Sequence, residues 1–383
     1  MPSPASTRAH AHGNAESRRL RLGFIPLTDC APLVMAQTLG YFAKREVSVE
    51  LVRQNSWAAL RDNLLAGEID GAHCLFSLPL SVATHIGGAG NRSLRIAMVL
   101  SSNGQGITLH HRMSRLGYAN VWRARSSGLN AHTATFAATF PGGTHDTWLR
   151  YWLRASGLDE RRLIVTVSPS QMVQNLKHGR MVGFCAGEPW NAIAVSEEAG
   201  FTHLATQDLW RHHPEKALVV HERVIERRAE LLMDAMGAIL EACRWLDAAS
   251  GERIAQTLAQ PEYLGCPVAQ IAPRLDGMYK LGLGLESRSY RDDRLRFFRG
   301  GLVNAPRRSH ALWFLAQYRR FGLLEEDPPY RALVDQLLAR DLYERVADRE
   351  HIELPTDDMR GFEITLDGAH FDPRDLAAEV TRV

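Results

Sequence analysis

Two hydrophobic patterns alternate along the first part of the chain. Short stretches that are apolar throughout or at every second residue, such as 19–27 and 47–54, are typical of strands. Each is followed by a segment with apolar residues at helical spacing, such as 31–45 and 57–67. Alternation at this interval predicts parallel strands joined by crossover helices, and therefore an α/β domain.

A second series of the same kind begins near residue 133. A strand-like segment at 134–140 precedes PGGTHDTWLRYWLRASG (141–157), in which apolar residues recur at helical spacing. Beyond about residue 226, amphipathic helices follow one another without strands between them. The pattern predicts two α/β lobes with a helical C-terminal region. A cleft between two lobes is a common place for a small ligand.

Charge and hydropathy narrow the class of protein. The 383 residues carry 45 Lys and Arg against 43 Asp and Glu, a net charge of +2 that disfavours a broad nucleic-acid-binding face. The N-terminal residues lack the apolar core of a signal peptide, and no stretch reaches the ~18 apolar residues of a spanning helix. We therefore expect a disordered arm over 1–19, a cytoplasmic location and no membrane partner.

The sequence contains no recognisable catalytic or metal-binding motif. The five cysteines are scattered without C-x-x-C spacing, so neither a zinc site nor a disulfide framework is indicated. No G-x-S-x-G elbow, P-loop or H-E-x-x-H is present. We expect a protein without catalytic residues, metal or cofactor.

One histidine occupies a place that favours an anion. Pro141, Gly142 and Gly143 predict a turn, Thr144 is a candidate N-cap, and His145 follows in the first helical turn. Backbone N–H groups at such a position lack intrahelical partners, and the helix dipole is positive there. The alternative is that His145 only caps the helix or packs against it.

Four further positions beside turns could supply hydrogen-bond donors. They are Trp57 behind the candidate caps Asn55 and Ser56, Gln105 between two glycines, Gly187 between a strand and a helix, and Lys216 just past Pro214. Each position also has a purely structural interpretation. Trp57 could be a packed aromatic, and Gln105 could complete a turn. Gly187 could be kept for its backbone freedom, and Lys216 could be a solvated charge weakly paired with Glu215. With His145 they form a set of donors with one permanent cation, which is what a small oxyanion requires.

The amino-acid sequences of several segments resemble those of a known family. They are similar to those of the nitrate-binding proteins of ABC transporters (the NrtA and CmpA group), and to those of the cytoplasmic nitrate/nitrite sensors of the NasS type within that group. The resemblance covers about residues 20–325. It is carried by GFIPLTDCAPLVMAQTLGYFAK, SWAALRDNLLAGEIDGA, NGQGITL, FPGGTHDTWLRYWLRASGLD, GFCAGEPWNAIAV, TQDLWRHHPEKAL and SHALWFLAQYRRFGLL.

The resemblance implies a bilobal type II periplasmic-binding-protein fold with the anion between the lobes. With that fold we expect lobe 1 at 20–125 and 217–383, including the helical C-terminal cover, and lobe 2 at 126–216. The family's ligand residues fall on Trp57, Gln105, His145, Gly187 and Lys216. The bicarbonate-binding branch has an acidic residue and a calcium ion at the lysine position, so Lys216 favours nitrate or nitrite.

The resemblance also implies a role and a partner. With the expected cytoplasmic location, it indicates a nitrate/nitrite sensor that holds an RNA-binding antiterminator of the NasT type and releases it when the anion binds. The sensor itself would make no direct contact with nucleic acid. The alternatives are a nitrate-binding capture subunit of an ABC transporter, or an enzyme on the same fold with a larger organic substrate.

Overall fold

The computed structural model of the chain describes residues 18–116, 135–158, 164–354 and 356–382. The arm predicted at 1–19 lies almost wholly outside the described residues, but Arg19, which was assigned to it, is the first residue of a strand. Ten strands numbered along the chain build the two main sheets: β1 Arg19–Phe24, β2 Ser48–Arg53, β3 Gly71–Leu75, β4 Leu94–Ser102, β5 Gln105–His110, β6 Phe136–Ala138, β7 Ile164–Thr166, β8 Gly183–Gly187, β9 Gly200–Ala205 and β10 Pro214–His221.

Each sheet forms the core of one lobe. The first has the order β2-β1-β3-β10-β4 and the second the order β7-β6-β8-β5-β9. In the first sheet β1 runs parallel to β2 and β3, as predicted, whereas β10 is antiparallel to both of its neighbours. In the second, β6 is parallel to β7 and β8, and β5 is antiparallel to β8 and β9. The predicted α/β architecture with two lobes is confirmed, with mixed sheets.

The chain crosses between the lobes at points other than those predicted. It enters the second lobe through Asn103 and Gly104, because β5 pairs with β8 and β9, and it returns before β10, which pairs with β3 and β4. The predicted boundaries near 125 and 216 are therefore displaced, and they place Gln105 and Lys216 in the wrong lobes. The cause is the antiparallel strands β5 and β10, which continue each sheet without the crossover helix that marks a parallel strand in the sequence.

Helices cover the faces of both sheets. The predicted helix over 31–45 is divided at Gly40, whose positive φ of 75° ends the first part. Ser56 caps the helix that starts at Trp57 by accepting the Ala59 N–H at 3.1 Å, as its sequence position suggested. The helices of this region are α1 Ala31–Thr38, α2 Tyr41–Lys44, α3 Trp57–Ala66, α4 Leu78–Ala83, α5 Thr144–Ala155, α6 Met172–Lys177 and α7 Trp190–Ser196.

The C-terminal region is mainly helical, as predicted, and it packs on the lobes rather than forming a third. The pattern over 330–349 predicts one helix, but Leu338 is extended and bridges Ile96 of β4, which divides it in two. Two short hairpins were not predicted. The elements are α8 Glu222–Ala248, α9 Gly251–Leu258, α10 Val268–Leu275, β11 Met278–Tyr279, β12 Arg288–Ser289, α11 Arg308–Arg320, α12 Tyr330–Leu337, α13 Arg340–Arg349, β13 Phe362–Ile364, β14 Ala369–Phe371 and α14 Leu376–Thr381. Among the described residues, no helix is both long and apolar enough to cross a membrane.

Candidate functional site

The side chain of Gln105 lies where the two lobes meet, and the other predicted site residues surround it. Gln105 is the first residue of β5 and is fully buried. Its Oε1 accepts hydrogen bonds from His145 Nε2 at 3.0 Å and from Lys216 Nζ at 3.3 Å. Its Nε2 donates to Asp29 Oδ2 at 3.0 Å. One amide group therefore joins donors and acceptors from both lobes.

Gly187 is a glycine because Gln105 leaves it no room for a side chain. The two residues are paired in the β5–β8 ladder. A Cβ on Gly187 would lie 2.7 Å from Gln105 Oε1 and 3.0 Å from Leu27 Cδ1. The sequence left open whether this glycine offers its backbone N–H to a ligand or is kept for backbone freedom. Its φ is not positive, so backbone freedom is not the reason, and the structure shows a close approach that neither interpretation included.

His145 lies in the first turn of α5, as predicted. The N-cap is Gly143 rather than Thr144, which is the first helical residue. His145 Nδ1 lies 2.6 Å from the Thr139 hydroxyl, and its Nε2 faces an amide oxygen, so Nε2 carries the proton and donates it. Burial and the charge of Lys216 hold the pKa of His145 well below its ordinary value. The ring is therefore neutral near pH 7.

Lys216 is an ion-paired lysine and not an isolated cation. It is fully buried, and its Nζ lies 2.8 Å from Asp29 Oδ2 and 3.1 Å from Glu215 Oε1. Burial favours the neutral amine, but the two carboxylates outweigh burial and raise the pKa of Lys216. The alternative interpretation, a solvated Lys216 weakly paired with Glu215, is wrong because both side chains are inaccessible to solvent.

Trp57 covers the ammonium group with its ring. It is the first residue of α3, is fully buried, and its ring centroid lies 5.8 Å from Lys216 Nζ. This distance is within the range of a cation–π interaction. The indole Nε1–H has no hydrogen-bond acceptor among the residues that the structure describes. Other buried tryptophans of the chain, Trp152 and Trp313 among them, also lack an acceptor. Among the described residues, however, Trp57 is the one whose ring faces Lys216, and its N–H is therefore a candidate donor to a ligand atom.

Four polar residues at the site were not predicted as part of it. Asp29, His73, Thr139 and Glu215 are all nearly or fully buried. Asp29 also accepts a hydrogen bond from His73 Nε2 at 2.8 Å. Burial alone would raise the pKa of Asp29, but Lys216 and His73 lower it far below its ordinary value, so Asp29 is ionised. The missed signal was its place in PLTD, directly behind a strand of the first sheet, where ligands of open α/β sheets bind.

The residues of the site come from both lobes. Asp29, Trp57 and Lys216 belong to the first lobe, and Gln105, His145 and Gly187 to the second. A cavity of about 600 Å³ opens between the lobes, with Arg61 on one wall and Thr139 on the other. Thr139 also contacts His145, so this cavity lies next to the site without exposing the side chain of His145. In the described ranges, no three His, Cys, Asp or Glu side chains are arranged so that they could hold a metal ion.

The turn before His145 docks directly into the first lobe. Ser81 Oγ donates to the Pro141 carbonyl at 2.6 Å, and Ser77 Oγ to the Gly142 carbonyl at 3.0 Å. Gly142 has a positive φ of 65°, and a Cβ there would lie 2.8 Å from Ser81 Oγ. These contacts hold the turn that precedes His145 against the first lobe.

Comparison with known proteins agrees with this architecture. A model of the NMT1-like family matches residues 13–260. The nitrate/nitrite binding protein NrtA of Synechococcus elongatus is 36% identical over 98% of the chain and 88% of its own length. The nitrate import ATP-binding protein NrtC of Synechocystis is 32% identical over 96% of the chain and 55% of its length. The crystal structure of the periplasmic nitrate-binding protein NrtA from Synechocystis superposes on the chain with a TM-score of 0.89 at 32% identity. The match covers 95% of the chain and 98% of that protein's chain. The chain therefore belongs to the NMT1-like family and is a relative of the nitrate/nitrite-binding NrtA proteins.

Proposed function

We propose that the chain binds nitrate or nitrite between its lobes and serves as the substrate-binding subunit of an ABC-type nitrate importer. The observation that carries the proposal is the convergence of donors around Gln105. His145 Nε2–H and Lys216 Nζ both donate to Gln105 Oε1. Trp57, whose ring faces Lys216, has an indole N–H without an acceptor among the described residues. Three donors from separate elements, one of them charged, can bind the oxygens of one small oxyanion.

The position of Lys216 favours a metal-free anion over bicarbonate bound with calcium. The ammonium group lies between the carboxylates of Asp29 and Glu215, at 2.8 and 3.1 Å. A calcium ion would need these oxygens as ligands at a similar distance, and Lys216 would repel it. Monovalent nitrate or nitrite needs no such ion.

The relatives favour transport over sensing. The similar proteins named above include a periplasmic nitrate-binding protein and an ATP-binding protein of nitrate import. The cytoplasmic location, the sensor role and the RNA-binding antiterminator partner stay predictions from the sequence motifs.

Fractionation of cells that express the chain with its native N-terminus, followed by affinity purification, separates the two roles. Recovery outside the inner membrane with a permease supports transport, whereas recovery in the cytoplasm with an RNA-binding protein supports the sensor.

Titration calorimetry with nitrate, nitrite, sulfate, and bicarbonate with and without calcium tests the ligand. Nitrate has four heavy atoms, so a ceiling of about −1.5 kcal/mol per atom gives about −6 kcal/mol, or a Kd of tens of micromolar. We expect heat from nitrate or nitrite at about this affinity. Heat only from bicarbonate with calcium, or from none of these ions, contradicts the proposal.

Gly142→Ala should weaken nitrate binding at least tenfold. The added Cβ would meet Ser81 in the first lobe at 2.8 Å, so the closed arrangement becomes harder to reach. Calorimetry measures the loss. Gly157→Ala is the matched control, because Gly157 also has a positive φ, 74°, but nothing lies within 4 Å of its added Cβ. Equal affinity losses in the two variants would show that backbone strain, and not the contact between lobes, is responsible.

A further inference from the structure

The buried charges of the site do not balance when an anion is added. The cluster contains two carboxylates, Asp29 and Glu215, and one ammonium group, Lys216, all fully or nearly fully buried. With both acids ionised its net charge is −1. A bound nitrate would bring a second uncompensated negative charge into a region without solvent. Buried charges of this kind are strongly unfavourable unless they are paired or neutralised.

Asp29 is poorly placed to accept a neutralising proton. Its three hydrogen-bond partners, Lys216, Gln105 Nε2 and His73 Nε2, all donate to it. A proton on Asp29 Oδ2 would cost the bond from Lys216 or from Gln105, since an ammonium or amide N–H cannot accept one. His73 could accept a hydrogen bond only from Oδ1 and only as its other tautomer, and Lys216 and His73 together lower the pKa of Asp29 far below its ordinary value. Asp29 therefore stays ionised as the permanent partner of Lys216.

Glu215 has a different environment. Its Oε2 accepts the indole N–H of Trp148 at 2.8 Å, and its Oε1 accepts the Thr144 hydroxyl and Lys216 Nζ. A hydroxyl can rotate and accept a hydrogen bond, so the Thr144 hydroxyl can accept one from the O–H of a neutral Glu215 carboxyl. Burial raises the pKa of Glu215, and the charge of Lys216 and the hydrogen bonds offset this only in part.

The other titratable groups around Glu215 come from four parts of the chain. His145 Nε2 of α5 is 3.4 Å from Oε1, and His213 Nδ1 ahead of β10 is 3.5 Å from Oε2. Burial lowers the pKa of His213 to about 3, and burial with Lys216 lowers that of His145. The Cys185 thiol of β8 has its pKa raised by burial and then by Glu215, and remains protonated. The negative charge of Asp29, in the first lobe, further disfavours an ionised Glu215.

We propose that the site takes up one proton with each monovalent anion, and that Glu215 accepts this proton on its carboxylate. The inference rests on the proposed binding of nitrate or nitrite. The proton comes from solvent, and neutral Glu215 then donates to Thr144, so that Lys216, still paired with Asp29, no longer shares its charge with a second carboxylate and can donate to the anion. Glu215 is thus a specificity-determining residue. A dianion such as sulfate would need two protons, and the cluster offers one acceptor for them, so sulfate is rejected.

Calorimetry of nitrate binding in buffers of different ionisation enthalpy measures the proton count. For the wild-type protein we expect an uptake of about one proton per nitrate near neutral pH. Over the pH range of that uptake, Kd should rise about tenfold for each unit of pH increase. In Glu215→Gln the uptake should fall close to zero and the dependence of Kd on pH should flatten. Wild-type protein that binds nitrate without taking up a proton overturns this inference but not the proposed function.

Asp208→Asn is the matched control. Asp208 is also a buried carboxyl whose burial raises its pKa, but it pairs with Arg288 and Tyr290 rather than with Lys216. The number of protons that the Asp208→Asn variant takes up with each nitrate should equal that of the wild type. Undiminished uptake in Glu215→Gln would assign the proton to another group and overturn the role of Glu215. A protein that binds no anion at all contradicts the proposed function itself.

Discussion

Lys216→Met is expected to abolish nitrate binding and to destabilise the fold by about 3–5 kcal/mol. The substitution keeps an unbranched side chain of similar length but leaves Asp29 and Glu215 buried without their cation. Uncompensated buried charge accounts for the loss of stability, and repulsion by the two carboxylates accounts for the loss of anion affinity. Urea unfolding measures the first effect and titration calorimetry the second.

Two further variants separate these effects. Lys44→Met removes an exposed lysine that pairs with Glu241 at the surface, and should change the unfolding free energy by about 1 kcal/mol or less. The double variant Lys216→Met with Asp29→Asn should regain much of the lost stability while nitrate binding remains absent. If Lys216→Met is no less stable than Lys44→Met, the buried ion pairs do not have the role assigned to them.

Trp57→Phe should lower nitrate affinity at least tenfold with a small change in stability. Phenylalanine keeps an aromatic face toward Lys216 but has no N–H to offer the anion. Trp57→Ala removes the ring as well, and should destabilise the protein by about 3–5 kcal/mol because the side chain is fully buried. Calorimetry and urea unfolding of both variants distinguish the donor from the packed ring.

Trp152→Phe provides the control for the donor. Trp152 is likewise fully buried, and its Nε1 also has no hydrogen-bond acceptor among the described residues. It lies on α5, packed against Phe136 rather than against Lys216. Its substitution should leave nitrate affinity unchanged. Equal losses in both phenylalanine variants would mean that packing, not hydrogen bonding by Trp57, determines affinity.

Local signals in the sequence were sufficient to predict the elements that carry the site. Ser56 as an N-cap, the glycines before His145 and the strand ahead of Gly187 each act within a few residues of their effect. The assignment of Gln105 to the first lobe and Lys216 to the second was wrong, because antiparallel pairing of β5 and β10 depends on distant strands. No local pattern marks such a pairing.

The charge balance of the site could not be predicted from the sequence. Glu215 was recognised only as a neighbour of Lys216, and Asp29 was not singled out. Asp29 and Lys216 are 187 positions apart in the chain and meet only after the first sheet has formed. The strength of an ion pair depends on its burial, and burial follows from the packing of both lobes. A residue type alone could therefore indicate a cation, but not that its charge was already paired.

The docking of the Pro141–Gly143 turn against Ser77 and Ser81 has a kinetic consequence. Trp57, Gln105, His145 and Lys216 have 0% of their surface exposed, so an ion can reach or leave them only while these contacts are broken. The rate of lobe opening then sets an upper limit on dissociation that is the same for every ion. Nitrate and nitrite should differ in how often an opening leads to escape, and stopped-flow dissociation at increasing concentrations of competing ion would reveal the shared limit.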